Sequence, residues 1–183
     1  MLVLSYPAPM FATNCWVIAP SPGSECIIVD PGMPDISRNI EMIVEEHNLK
    51  PVAALMTHGH LDHTFSITPL ADGYGIPAYI HSEDRKFIAE PYGIHGEQFA
   101  AQLAGMTFSE PKQVEELKNG STLELLGMKI SAIHAPGHTR GSLMFTVNGE
   151  LLISGDVLFA GSIGRTDLPT GSAQEMTQTL KSK

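Results

Sequence analysis

Apolar positions at the start of the chain come in short runs separated by turn residues. Leu2 to Tyr6, Asn14 to Ala19 and Cys26 to Asp30 each read as a strand. Ser21-Pro22-Gly23-Ser24 between the second and third predicts a hairpin with a longer loop, and Pro31-Gly32 stops the third strand. Ile36, Ile40, Ile43, Val44 and His47 then recur at helical spacing, with Asp35 in place as N-cap and Pro51 as the terminator. The uniformly apolar Val52 to Met56 predicts a short strand buried on both faces.

A histidine-dense loop follows, then a helix over roughly Thr64 to Tyr74, a strand at Ala78-Tyr79-Ile80 and a short helix from Glu83 to Ala89. Glu90 to Glu110 carries no clear period beyond a helical tendency at Glu97 to Leu103, and reads as a surface loop or lid. From Val114 onward strands dominate: Leu123 to Leu126, Lys129 to Ile133, Ser142 to Val147 and Leu151 to Ser154. Asn148-Gly149 signals a type I′ hairpin, and Glu175 to Leu180 reads as a helix. Two strand-rich halves with attached helices predict a layered α/β domain rather than alternating βαβ winding.

A length of 183 residues suits one domain spanning 1–183, and 43% hydrophobic with 17% charged residues describes an ordinary globular chain. The net charge of −9 argues against a phosphate-neutralising surface, so nucleic acid is not expected as a partner. The N-terminus lacks the basic start and apolar core of a signal peptide, and no run reaches the ~18 apolar residues of a membrane span. Cys15 and Cys26 are read as unpaired buried thiols, which suits a reducing, cytoplasmic setting. Oligomeric state leaves no mark in the sequence.

The chemistry concentrates in Thr57-His58-Gly59-His60-Leu61-Asp62-His63. Imidazole nitrogens must find partners when buried, so three of them beside a carboxylate make a poor packing choice. In a loop, His58 and His60 can aim at one point while Asp62 and His63 aim at a second. These donors suit Zn²⁺, one ion or two, with Fe and Mn²⁺ compatible with the same set. His138 stands on a Pro136-Gly137 turn after a strand, 75 residues beyond His63, and Asp156 ends another strand 18 residues later. Ligands at strand ends inherit the rigidity of the sheet.

His58-x-His60-x-Asp62-His63, Pro136-Gly137-His138-Thr139 and Gly155-Asp156 resemble, in order and spacing, the metallo-β-lactamase superfamily. Val29-Asp30-Pro31-Gly32 and Thr57 fit its lead-in, and Leu158 to Pro169, with Gly164-Arg165-Thr166-Asp167, is similar to its glyoxalase II-like, hydroxyacylglutathione hydrolase-type branch. The resemblance implies a four-layer αββα sandwich. It also implies a first metal on His58, His60 and His138, a second on Asp62 and His63, and Asp156 between them. Asp62 doubles as the catalytic carboxylate, and Asp30 is the buried acid supporting a ligand imidazole, although a strand-ending turn residue reads equally well there. Arg165 and Asp167 read as a structural salt bridge. The family pattern closes with a further histidine, and none follows His138 before Lys183. The expectation is therefore a truncated C-terminus or an incomplete second site, with the first metal position more fully occupied than the second.

The implied activity is hydrolysis of a small-molecule acyl-thioester by hydroxide from a metal-bound water, whose pKa falls from ~15.7 to about 7. A thiol of pKa ~8.5 leaves readily as thiolate. Two rivals stand beside it: a mononuclear-iron persulfide dioxygenase of the same superfamily, using His58, His138 and Asp156, and a non-catalytic metal-binding relic. Gly137-His138-Thr139-Arg140-Gly141 mimics a nucleophile elbow, but threonine is unusual there and His138 has a better assignment. Among the remaining histidines, His81 reads as a helix-entry residue, His47 as a helix C-terminal one and His134 as structural. His95 reads as a loop residue rather than one facing substrate.

Overall fold

The computed structural model describes residues 1–95, 103 and 105–183, and of Asp35 the backbone alone. Six strands form a mixed sheet in sequence order: β1 Leu2–Pro7, β2 Asn14–Ala19, β3 Glu25–Val29, β4 Lys50–Leu55, β5 Ala78–His81 and β6 Val114–Leu117. The first three pair antiparallel, and β3 to β6 run parallel. A second, antiparallel sheet has the order β10-β9-β8-β7, built from β7 Thr122–Leu125, β8 Met128–His134, β9 Leu143–Val147 and β10 Leu151–Ile153.

Strand periodicity divides the apolar side chains between two cores. Cys26 and Ile28 of β3 and Ala54 of β4 pack with Ile36 and Ile40 of α1 (Pro34–Glu46) and Ile67 and Leu70 of α3 (Ile67–Tyr74). The intervening Ile27, Val29, Ala53 and Leu55 face Ile130, Phe145 and Val147 of the second sheet. Behind that sheet, Met144 and Ile133 pack against Met176 of α6 (Ala173–Ser182). The result is the expected four-layer αββα sandwich, and β3 and β4 are apolar beyond their exposed first residues, Glu25 and Lys50, because both faces are covered. No helix among the described residues is long and apolar enough to cross a membrane.

Several local expectations are corrected. Helix α1 begins at Pro34 with Met33, not Asp35, at the N-cap position, since proline fits the first helical turn. It ends at Glu46, capped by His47, and Asn48 at φ 51° takes the chain out, so Pro51 is not the terminator. Pro51 instead lies in β4, paired with Cys26 where the register shifts, a place that tolerates a missing N–H. The helix predicted over Thr64 to Tyr74 is two pieces, α2 Leu61–Thr64 and α3. Between them the Ser66 N–H turns away to donate to the carbonyls of Pro31 and Gly32 at 3.1 and 2.8 Å. The predicted Glu83 to Ala89 helix is α4 Ser82–Arg85 followed by a 3-10 turn at Lys86–Ile88, and α5 spans Tyr92–His95. Strand β6 and a small hairpin, β11 Leu158–Phe159 with β12 Ser162–Ile163, were not predicted. Asn148 and Gly149 do adopt positive φ, 53° and 71°, in the turn between β9 and β10. The helical tendency at Glu97 to Leu103 lies, but for Leu103, outside the described residues.

Candidate metal centre

The ends of three strands converge at one edge of the sandwich. The loop from β4 to α2 carries His58 and His60, and the one-turn helix α2 carries Asp62 and His63. His138 stands in the β8–β9 loop and Asp156 in the β10–β11 loop. His58, His60, His63 and His138 are buried, while Asp62 and Asp156 keep partial exposure. Two donor groups form: His58, His60 and His138, and then His58, His63 and Asp156, each with its ligand atoms within 4.8 Å of one another. Asp62 Oδ2 lies 3.5 Å from His63 Nε2 and accepts the Thr13 hydroxyl at 2.5 Å. His63 Nε2 is 3.3 Å from Asp156 Oδ1, and His138 Nε2 is 3.6 Å from Asp156 Oδ2.

The hydrogen bonds around the rings decide where His58, His63 and His138 keep their lone pairs. His138 Nδ1 lies 2.7 Å from the Arg165 carbonyl oxygen, which only accepts, so the proton sits on Nδ1 and Nε2 is bare. Thr57 spends its hydroxyl hydrogen on Asp30 Oδ2 at 2.7 Å, so it accepts from His58 Nδ1 at 3.1 Å, and His58 Nε2 is bare too. His63 Nδ1 donates to Asp30 Oδ2 at 3.0 Å, again freeing Nε2. These tautomers are assigned from the network. Two bare nitrogens then face each other, His58 Nε2 and His138 Nε2 at 3.2 Å, and His60 Nδ1 lies 2.8 Å from the same His138 Nε2. Opposed lone pairs repel, whereas a tetrahedral ion with ligand bonds of ~2.05 Å would set nitrogens about 3.3 Å apart. His63 Nε2 and His60 Nε2 are buried without a hydrogen-bond partner. The donor set therefore fits a divalent metal.

Electrostatics agree. Burial, reinforced by the neighbouring imidazoles, holds His58 and His60 well below the usual histidine range, and burial lowers His138 as well. Neutral imidazole is the ligating form. At His63 burial opposes the charge, but Asp30, Asp156 and Asp62 outweigh it and hold the ring well above its ordinary value. Burial raises Asp156, yet the contact with His63 keeps its carboxyl below the usual range. This corner of the site calls for positive charge, which a cation supplies as well as a proton does.

Asp30 underlies the site. It is buried and left-handed at φ 53°, a conformation aspartate tolerates better than most residues. Its carboxylate takes the Thr57 N–H at 2.7 Å in addition to the Thr57 hydroxyl and His63. Arg165 and Asp167 form a bidentate ion pair, both contacts 2.7 Å, on the surface, while the Arg165 carbonyl orients His138. The cavity above has two lobes of about 360 and 560 Å³ that share Phe11, Asp62, Asp156 and Phe159.

A family model of the metallo-beta-lactamase superfamily matches residues 8–183. The chain belongs to that superfamily. An uncharacterized protein of Mycobacterium tuberculosis (strain ATCC 25618 / H37Rv) is 40% identical over 191 residues, covering 100% of this chain and 84% of its own length. Hydroxyacylglutathione hydrolase GloC of Haemophilus influenzae is 32% identical over 183 residues, covering 97% and 81%. Among solved structures, the BLEG-1 B3 metallo-beta-lactamase superposes with a TM-score of 0.85 at 30% identity, covering 100% of this chain and 85% of that one. TTHA1623 in a di-iron-bound form gives 0.76 at 28%, covering 99% and 84%.

Within this superfamily fold the other histidines take identifiable places. His81 caps α4 by accepting the Glu83 N–H at 3.2 Å, the expected helix-entry role, and stacks on His134 at 4.2 Å between ring centroids. His134 also bonds the Arg140 carbonyl oxygen at 2.9 Å. His95, expected as a loop residue that does not face substrate, ends α5, lines the larger lobe and accepts the Leu61 N–H at 2.8 Å. Thr139 is fully buried and donates to Asp84, which removes it as a nucleophile. Thr13 and Asp84 were not anticipated from sequence. Neither sits in a ligand motif, and each acts only through tertiary approach.

Proposed function

We propose that the chain is a metal-dependent hydrolase of acyl-thioesters of the glyoxalase II-like kind, with Zn²⁺ on His58, His60 and His138 and a second ion on Asp62 and His63, Asp156 lying between. The observation that carries this reading is the pair of donor groups meeting on the floor of a two-lobed cavity. Two lobes on either side of Asp62 and Asp156 suit the acyl and thiol halves of such a substrate. The hydroxyacylglutathione hydrolase of H. influenzae, 32% identical, supports the choice of thioester.

When bound, the metal polarises the acyl carbonyl and makes water acidic enough to act near neutral pH. The protein's own part is positioning. Asp30, through Thr57 and His63, fixes two rings from beneath, and the Arg165 carbonyl fixes a third. Asp62, with Oδ2 held by Thr13, takes up the proton released as water attacks. The departing thiolate, of pKa ~8.5, needs little acid assistance.

A second reading has one observation in its favour. His58, His138 and Asp156 alone make a two-histidine, one-carboxylate set, with separations of 3.2 and 3.6 Å, of the type that holds mononuclear iron in oxygenases. Assay of zinc- and iron-loaded protein against S-lactoylglutathione, other acyl-thioesters and glutathione persulfide, with dissolved oxygen followed, separates the two. Thioester cleavage without oxygen uptake is expected; oxygen uptake with persulfide and no thioester cleavage overturns the proposal.

A further inference from the structure

Asp84 is fully buried, has no salt-bridge partner among the described residues, and belongs to no ligand motif. It projects from α4, the single turn that β5 delivers beneath the metal centre. Its Oδ2 accepts the Gly59 N–H at 2.9 Å and the Thr139 hydroxyl at 2.6 Å, and its Oδ1 accepts the Gly141 N–H at 2.9 Å. Gly59 lies between His58 and His60, and Thr139 directly follows His138. One carboxylate thus joins the two loops that supply all three nitrogens of the first donor group.

The surroundings are shaped for that contact. A Cβ at Gly141 would stand 2.5 Å from Asp84 Cγ, and one at Gly59 would stand 3.1 Å from Asp84 Cβ, so glycine lets both backbones close on the carboxylate. A carboxylate taken out of water needs its oxygens hydrogen-bonded, and a neutral amide of the same size offers only one accepting atom. With three donors pointing inward from two loops, an amide leaves at least one facing another donor. Thr139 is further held by Ser142, whose hydroxyl lies 2.8 Å from its own and accepts its N–H at 3.0 Å.

We propose that Asp84 is a positioning residue for the first metal triad, its carboxylate fixing the separation between the His58-Gly59-His60 loop and the His138 loop. The role concerns metal binding and holds whichever substrate the enzyme takes. Supporting groups behind metal ligands typically contribute 10–100-fold in affinity.

The test uses the full chain, stripped of metal and titrated with Zn²⁺ against a chromophoric chelator, then with Co²⁺ for its visible absorption. Asp84→Asn is expected to weaken Zn²⁺ binding by about 10–100-fold and to change the cobalt bands, with the melting temperature of the metal-free protein as the control for folding. Thr139→Val, which removes one donor and leaves Asp84 in place, is expected to weaken Zn²⁺ several-fold, and Thr139→Ser to restore it. Wild-type affinity and cobalt spectrum in Asp84→Asn would overturn the proposal. Should that variant not fold, wild-type affinity in Thr139→Val would do so. Failure of the unmodified chain to bind Zn²⁺ would sink the metal-centre reading instead, which keeps the two failures distinct.

Discussion

The carboxylate of Asp30 receives the Nδ1 proton of His63 at 3.0 Å while the same oxygen accepts the Thr57 hydroxyl that supports His58. One buried acid therefore sets the tautomer of a ring in each donor group. Asp30→Asn keeps the size but presents an amide hydrogen to at least one of these donors. We predict a loss of about 10–100-fold in metal affinity, measured by chelator competition, with a parallel fall in turnover.

The two donor groups differ in chemistry. His58, His60 and His138 offer three neutral nitrogens, whereas the second group adds only His63 and Asp156 to the shared His58, and the nearby Asp62 has its Oδ2 engaged by Thr13. Titration of the 183-residue chain is predicted to give one tight and one weaker Zn²⁺ site, with His63→Ala abolishing only the weaker. Equal and full occupancy of both sites at one equivalent of chelator would contradict this.

Cys15 and Cys26 are buried free thiols. Cys26 precedes Ile27, which pairs with Ile18, and Cys15 precedes Trp16, which pairs with Val29 at the other end of the register, so about four strand residues, ~13 Å, separate them, well beyond disulfide reach. Burial pushes the Cys26 thiol up from about 9 to about 12, and Cys15 higher still. A thiol pKa raised by folding stabilises the native state fully below pH 9, and that stability is lost as pH rises from 9 through the folded value. Neither thiol is expected to react with DTNB at pH 8 until urea unfolds the chain, and the urea midpoint should fall as pH rises above 9.

Phe145 is the largest fully buried side chain among the described residues and lies between the sheets with Ile27 and Ile130. Phe145→Ala is predicted to cost about 3–5 kcal/mol by leaving a cavity there. For a domain of this size, thermal unfolding followed by circular dichroism should drop by roughly 6–20 °C.

What the sequence revealed of this site depended on how its residues are distributed. His58, His60, Asp62 and His63 are legible because four ligating residues crowd into six positions, and His138 and Asp156 because each follows an apolar strand. Asp84 is illegible for the opposite reason. It sits in Ser82-Glu83-Asp84-Arg85 among ordinary helix-surface residues, and only the approach of Gly59, Thr139 and Gly141 from distant loops makes it a clamp. A layered α/β domain could be read from two strand-rich halves with attached helices, and its four-layer form followed from the family resemblance. Pro51 misled because a sheet position with a register shift tolerates proline as readily as a helix end does. The break between α2 and α3 was hidden because it depends on Ser66 bonding to Pro31 and Gly32, more than thirty residues away.

A crystal of the zinc-loaded chain, with anomalous differences collected at the zinc edge, tests the central claim most directly. The predicted result is a peak about 2.0–2.1 Å from His58 Nε2, His60 Nδ1 and His138 Nε2. An anomalous map with no peak among these three nitrogens, or with zinc bound only elsewhere, would contradict it.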